Sequence, residues 1–377
     1  MVVKGDIRHA YVHVPFCRHR CGYCDFTLVA GRDDLFDDYY TALGIELKRL
    51  AQPIELDTLY LGGGTPSHLG SEGIRHLFDV LHDVLRPTSA AEVTIEANPL
   101  DVSEAAIEAF RRCGINRVSL GVQSLNALTL STLDRDHRED DVRQVMHLLL
   151  DSGFTVSVDL IIAAPEQTLD AVGRDLEAIT SLGAQHISVY CLTWEQGTAF
   201  WGKRARGSLI PVAEDVEREM FELAIDHLSS SGYQQYEVSN FAQPEMACRH
   251  NEAYWDCRPW EAFGPGAARF DGQNRMTNIR STSAWMKNLI AGKGVTGDVD
   301  AMTTEGAARE RLVLGLRRRR GVGRMSFFQQ SGFQVDDLAK KPIQEWVAAG
   351  FAEDDGEHVR LTRSGMLLSD SLWSAVL

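Results

Sequence analysis

Between residue 10 and about 235 the chain alternates short apolar, β-like runs with longer stretches whose apolar positions recur at helical spacing. Strands are predicted at 10–14, 58–61, 92–96, 117–120, 156–162 and 186–192. The segment 38–50 shows the helical period, with Tyr40, Leu43, Leu47 and Leu50 on one face that must be buried. Further helices are predicted near 71–85, 103–112, 139–152, 168–181 and 214–230, the last with Val216, Met220, Leu223 and Leu228 on one stripe. Six β-then-α units imply a parallel sheet covered by helices, because parallel neighbours need a crossover long enough to hold one. Curled round, this is a partial (β/α)6 barrel, whose functional residues gather in the loops after the strand C-termini.

Beyond 235 the rhythm stops. Aromatic density rises at Tyr254, Trp255, Trp260, Phe263 and Phe270, and from about 305 the pattern becomes helical. Two short strands in 351–361, joined by an Asp354-Asp355-Gly356-Glu357 turn, precede a final helix. The expected architecture is therefore α/β in two units: a barrel core over 1–235 and a helical, winged-helix-like domain within 236–377.

A chain of 377 residues exceeds one ordinary compact core, which agrees with two units. With 44% hydrophobic and 24% charged residues it reads as a soluble globular protein. It has neither an apolar run of membrane-spanning length nor a secretion signal at its start, so a cytoplasmic location is expected. A formal charge of −15 disfavours non-specific attraction to nucleic acid or an anionic bilayer, while leaving room for a local basic patch to act. The run Arg317-Arg318-Arg319-Arg320 reads as a solvated helix end; a grip on carboxylates or on a nucleic-acid backbone is the functional alternative.

Seven cysteines in no framework spacing point to metal or cofactor chemistry in a reducing compartment. Three of them, Cys17, Cys21 and Cys24, fall in the loop after the first predicted strand, with Tyr23 just before the third. Three thiolates suit an iron–sulfur cluster whose usual complement is four cysteines, leaving one iron open. A zinc site would need a fourth ligand, for which His13 and His19 are the nearby candidates.

The spacing Cys17-x3-Cys21-x2-Cys24 resembles the cluster loop of the radical S-adenosylmethionine (SAM) enzymes. The resemblance implies a [4Fe–4S] cluster on Cys17, Cys21 and Cys24, with SAM chelated at the open iron and cleaved reductively to a 5′-deoxyadenosyl radical. Gly62-Gly63-Gly64-Thr65-Pro66 stands where that family approaches the SAM amino group with backbone, which implicates Gly63, Gly64 and Thr65. Within the subgroup that resembles oxygen-independent coproporphyrinogen III oxidase, the matching positions are Glu96, Gln123 of Leu120-Gly121-Val122-Gln123, Arg135, and Asp159 of Asp159-Leu160-Ile161. By resemblance these hold the SAM ribose, carboxylate and adenine, and Tyr11 and Tyr23 stand at the cofactor with them.

The oxidases proper carry a further cysteine two residues after the third, where this chain has Phe26, and they carry an N-terminal extension. His250-Asn251-x-x-Tyr254-Trp255 is instead similar to the signature of the HemW group, regarded as haem chaperones. Tyr236-Glu237-Val238-Ser239-Asn240-Phe241 extends that likeness. The resemblance implies haem as cargo, with His250, Asn251, Tyr254 and Trp255 as candidates to hold it through a neutral imidazole and an apolar aromatic face. It also implies recipient haemoproteins at the membrane and a reductant such as flavodoxin or ferredoxin, with no nucleic acid. The alternatives are oxidative decarboxylation of coproporphyrinogen III and a methyltransferase of the same fold; no catalytic residue beyond the cofactor set is assigned. Two stretches depart from the family: Ile162-Ala163-Ala164-Pro165 replaces a Gly-Leu-Pro turn, and Gly264-Pro265-Gly266-Ala267-Ala268-Arg269 lacks the usual Ala-His-Ser ending.

Overall fold

The computed structural model describes residues 7–377, so positions 1–6 of the expected 1–235 unit lie outside it. Six parallel strands form its centre: β1 (His9–Val14), β2 (Ile54–Gly63), β3 (Leu85–Ala97), β4 (Arg117–Gln123), β5 (Thr155–Ile162) and β6 (His186–Cys191). The main helices between them are α1 (Phe36–Leu47), α2 (Gly70–Leu81), α3 (Glu104–Arg112), α4 (Glu139–Asp151) and α5 (Leu169–Ser181), and α6 (Glu214–Ser230) follows β6. Strand period decides what each face meets. Val12 and Val14 on β1, Leu59 and Leu61 on β2, Val93 and Ile95 on β3, and Val156 and Val158 on β5 belong to one buried apolar core with the helices. Full burial of each such side chain stabilises the fold by about 1.5–3 kcal/mol.

The alternating residues are polar, and they face the inside of the curl: His9, Tyr11 and His13; Thr58 and Tyr60; Glu92, Thr94 and Glu96; Arg117 and Ser119; Ser157 and Asp159; His186 and Ser188. Register sets these in layers. His9 pairs with Thr58, Thr58 with Glu92, and Ser157 with His186, forming a polar floor at the strand N-termini. Tyr11 pairs with Tyr60 above it, and Asp159 stands opposite both Gly121 and Ser188 towards the mouth.

Three short strands from beyond β6 complete this sheet. β7 (Gln234–Gln235) and β8 (Asn240–Ala242) add antiparallel at the β6 edge. β9 (Glu261–Phe263) adds parallel to β1, placing Glu261 beside Ala10. The expected division at 235/236 thus falls in the turn between β7 and β8, and Phe241, Phe263, Trp285 and Leu289 share the barrel's core. A three-stranded sheet follows, from β10 (Ala268–Phe270), β11 (Asn274–Asn278) and β12 (Thr296–Ala301). A separate core, including Leu312, Leu316, Phe327, Ile343, Trp346 and Trp373, holds a module of α7 (Thr304–Leu316), β13 (Val322–Gly323), α8 (Arg324–Ser331), α9 (Val335–Ala348), β14 (Ala352–Asp354) and β15 (His358–Leu361). Three helices with a small antiparallel sheet are the winged-helix-like arrangement expected for the C-terminal part. Among the described residues no helix is long and apolar enough to cross a membrane.

Candidate functional site

The cysteine loop leaves β1 and is braced by backbone before any metal is considered. Phe16–Cys17 pairs in parallel with Val29–Ala30, the Val29 N–H donates to the Pro15 carbonyl at 2.7 Å, and the Gly31 N–H to that of Cys17 at 3.0 Å. Arg20 gathers the loop from its exposed side, donating to the carbonyls of Cys24 and Leu28 at 3.2 and 2.9 Å. His13 anchors its root: Nε2 donates to the Thr27 carbonyl at 2.6 Å, leaving Nδ1 to accept from the Tyr11 hydroxyl at 3.0 Å. Burial holds this ring neutral, its pKa lowered to about 4. With both nitrogens taken, His13 is no fourth metal ligand. His19 Nε2 lies 2.7 Å from the Asp134 carbonyl and 3.7 Å from Cys21 Sγ.

Close packing around His13 explains two glycines. A Cβ on Gly63, at φ +116°, would sit 2.5 Å from the His13 ring; one on Gly264, at φ +101°, would sit 2.4 Å from its carbonyl oxygen. The Gly64 and Thr65 N–H groups donate to Val14 and Phe16 at 2.8 and 2.7 Å, so the glycine segment runs beside the cysteine loop.

The three thiols share one neighbourhood. Burial pushes the Cys17 thiol up to about 11, opposed by the Thr65 hydroxyl 3.4 Å away and reinforced by Cys24 and Cys21. Burial also raises Cys24, with a further contribution from Cys21. Arg135 Nη1 lies 3.9 Å from Cys21 Sγ, supplying positive charge where thiolates must form. Among the described residues no three His, Cys, Asp or Glu side chains are grouped as ligands of a single ion. Three thiols close enough to raise one another, with a guanidinium beside them, are a soft-donor set of the kind an iron–sulfur cluster takes.

The expected SAM residues rise on successive strands around the same mouth. Glu96 accepts from the Gly63 N–H and the Tyr60 hydroxyl, both at 3.0 Å. Its carboxyl is raised to about 7 by burial, with Asp159 adding and those two donors opposing. Asp159, also raised by burial, accepts from Ser119 at 3.1 Å. Arg135 donates to the Gly121 carbonyl at 2.7 Å, while its Nε is buried without a partner. Gln123 adopts φ +66°, a strained conformation of the kind that clusters at ligand sites. Tyr23 packs edge-on against Phe200, whose N–H donates to Gly22 at 2.8 Å. Tyr11, Gly63, Gly64, Thr65, Glu96, Gln123, Arg135 and Asp159 thus stand with the cysteines at one end of the barrel.

The departure at 162–165 leaves a mark here. Ala163 holds φ +59° where the family has glycine, a left-handed conformation that costs a Cβ-bearing residue about 1 kcal/mol. Ala163→Gly is therefore expected to be neutral or stabilising by up to ~1 kcal/mol despite glycine's greater unfolded-state entropy, readable as an unchanged or raised midpoint in urea.

The haem candidates lie elsewhere. Their helix, α10 (Arg249–Trp255), comes just before β9 and therefore sits at the N-terminal end of the strands, opposite the cysteines. His250 is 1% exposed there, with both ring nitrogens engaged: Nδ1 lies 2.7 Å from the Thr58 hydroxyl, and Nε2 lies 2.8 Å from that of Tyr254. Its N–H donates to Glu92 at 3.0 Å, and its ring stacks on Tyr60 at 5.1 Å. Burial drives its pKa down to about 3. The motif closes the polar floor, completing a run from His9 through Thr58 and His250 to Tyr254. Asn251 bonds Tyr236, whose hydroxyl meets His186 at 2.9 Å. Trp255 borders a cavity. The arginine run is exposed at Arg319 and Arg320, as expected of a solvated end, but it is also paired: Arg318 and Arg320 meet Asp256, and Arg317 lies over Trp255, 5.4 Å from its centroid.

Sequence reasoning missed Tyr60, Glu92 and Thr58. Their signal was the alternation of polar residues with Leu and Val in strands whose other face is buried.

Comparison with known proteins places this geometry. Residues 11–179 match the radical SAM superfamily, and 302–368 match the HemN C-terminal domain. A Bacillus subtilis protein named heme chaperone HemW is 34% identical over 98% of this chain and 99% of its own. Its Escherichia coli namesake is 31% identical over 98% of both chains. The solved structure of Escherichia coli coproporphyrinogen III oxidase (HemN) superposes with a TM-score of 0.88 at 21% identity, over 100% of this chain and 91% of that one, a likeness of fold.

Proposed function

The chain belongs to the HemW family of the radical SAM superfamily, and from that premise we propose that it is a haem carrier built on a [4Fe–4S] barrel. Cys17, Cys21 and Cys24 would hold the cluster, and Tyr11, Tyr23, Gly63, Gly64, Thr65, Glu96, Gln123, Arg135 and Asp159 would seat SAM above it. When bound, the cluster supplies the electron that cleaves the SAM sulfonium bond. The chain's own contributions are to place positive charge beside the thiols through Arg135, and to hold Glu96 between Gly63 and Tyr60. Haem would be bound as cargo and passed to haemoproteins, with a flavodoxin- or ferredoxin-like reductant serving the cluster, in the cytoplasm. The observation that carries this reading is the gathering of three cysteines with Glu96, Gln123 and Asp159 on successive strands and Arg135 on the segment after β4, in a chain matched end to end by HemW relatives.

The test is anaerobic reconstitution followed by haem titration, alongside an assay of coproporphyrinogen III with SAM and reductant. Stoichiometric haem binding without coproporphyrinogen turnover is expected. Turnover would mean an oxidase instead.

A pH dependence follows from Glu96. Its carboxyl titrates near 7, so it is largely protonated at pH 6 and ionised at pH 8. SAM carries a sulfonium cation, which favours the ionised form. SAM affinity of the reconstituted protein is expected to rise about tenfold per pH unit below that pKa and to flatten above it. In Glu96→Gln the slope should vanish; an equal slope in both proteins would assign the titration to another group.

A further inference from the structure

A cavity of about 300 Å³ lies where the barrel floor meets the C-terminal module, with Trp255, Arg311, Arg318, Arg320, Gly323 and His358 among its walls. Its charge is out of character for a chain of formal charge −15. Three guanidinium groups line it against one carboxylate, Asp256. That carboxylate is already shared: Arg318 and Arg320 both pair with Oδ1, and Arg258 donates to Oδ2 at 2.9 Å. Arg311 is held by neutral acceptors alone, the carbonyls of Asp256 and Cys257 at 2.9 and 3.3 Å and Gln330 Oε1 at 3.1 Å. Uncompensated positive charge therefore remains at the cavity.

A second feature adds to it independently. Helix α8 starts at this wall, capped at Gly323 without any side-chain hydrogen bond, and Ser326 and Phe327 of its first turn line the space. This N-terminus brings partial positive charge to the same place, its first N–H, that of Arg324, donating to the Glu357 carbonyl at 2.8 Å. The wall also includes the Trp255 indole, backed by Arg317. Guanidinium groups beside a helix N-terminus select oxyanions, and carboxylates fit the guanidinium fork. The volume is at the small end for ligand sites: room for carboxylate arms, too little for a whole tetrapyrrole.

We propose that this cavity receives the propionate carboxylates of the cargo haem, with the macrocycle lying outside it on the seam beside Trp255. The proposal rests on the haem-carrying reading. It puts the cargo at the end of the barrel opposite the cysteine loop, separated by the length of β1, six residues or roughly 20 Å. The two cofactors would then be handled without touching.

The test titrates haem and haem dimethyl ester, whose propionates are neutral, into the reconstituted full chain and into Arg320→Ala and Arg320→Glu. Arg320 is 59% exposed, so these variants should fold; thermal melts check it, and Arg204→Ala near the mouth serves as control. Wild type is expected to prefer haem to its ester. Arg320→Ala should weaken haem about fivefold and Arg320→Glu further, with ester affinity unchanged, since one exposed charge-assisted contact is lost. Competition by inorganic phosphate in wild type but not in Arg320→Glu would support oxyanion recognition. Equal affinity of wild type for haem and ester, or unchanged haem affinity in both Arg320 variants, overturns the proposal while leaving the carrier reading intact. Failure of wild type to bind haem at all overturns both.

Discussion

Replacing Cys17, Cys21 and Cys24 together by alanine is expected to empty the cluster site, taking iron and sulfide from about four each per chain to background. The protein should stay folded. The loop that carries these cysteines is shaped by the Phe16–Cys17 pairing with Val29–Ala30, by Arg20 and by His13, none of which uses a sulfur atom. Circular dichroism should therefore match wild type while the visible absorption of the reconstituted protein disappears. SAM affinity should fall with it, because Glu96, Gln123, Arg135 and Asp159 are left to hold the ligand without the open iron. A triple variant that still assembles a cluster would remove the basis of the whole site. Haem titration of this variant gives an independent reading: cargo bound at the opposite end of the barrel should be unaffected.

His250→Ala should lose stability and keep haem. The substitution removes the hydrogen bonds from His250 to the Thr58 and Tyr254 hydroxyls, leaving Thr58 with His9, and opens a hole under Tyr60. Two buried hydrogen bonds and a partly unfilled cavity together should destabilise the fold by roughly 2–4 kcal/mol. Haem affinity equal to wild type would confirm that the histidine works within the floor; a large loss in a variant that still melts cooperatively would restore it as an iron ligand. The pH profile adds a sign. His250 is neutral when folded, with a pKa near 3, and takes up a proton below about 6.5 when unfolded. The unfolded chain binds the extra proton in that window, so this group's contribution is present above pH 6.5 and is lost as pH falls towards 3. His250→Ala should show a shallower loss of stability over that interval.

The βα rhythm was legible because each strand carries its apolar residues on the face that meets helices. Predicted strands 117–120 and 186–192 correspond to Arg117–Gln123 and His186–Cys191, and the predicted helix 214–230 has the same bounds in the structure. The rhythm faded after 235 for a physical reason: β8 and β9 are three residues each, too short to show a period, and they are strands only because a long sheet offers its edges. The cysteine loop was legible as a spacing, since ligands of one centre on one loop are close in sequence. Glu96, Gln123, Arg135 and Asp159 were placed by likeness to relatives and by the rule that barrel loops share a mouth.

The His250 motif shows the opposite case. As a string of residues it offers a ligand beside aromatic rings, and nothing local says which end of the barrel it occupies. That follows from the parallel pairing of β9 with β1, a contact between residues about 250 apart in the chain. Sequence alone determined the strand and helix order, the thiol set and the family likeness, because these depend on neighbours along the chain and on matching positions. Tertiary structure alone decided that His250 lies in a sealed polar floor, that the arginine run turns onto Asp256, and that a cationic cavity forms between two cores. Burial and charge balance at those sites are set by groups that meet only when the sheet closes.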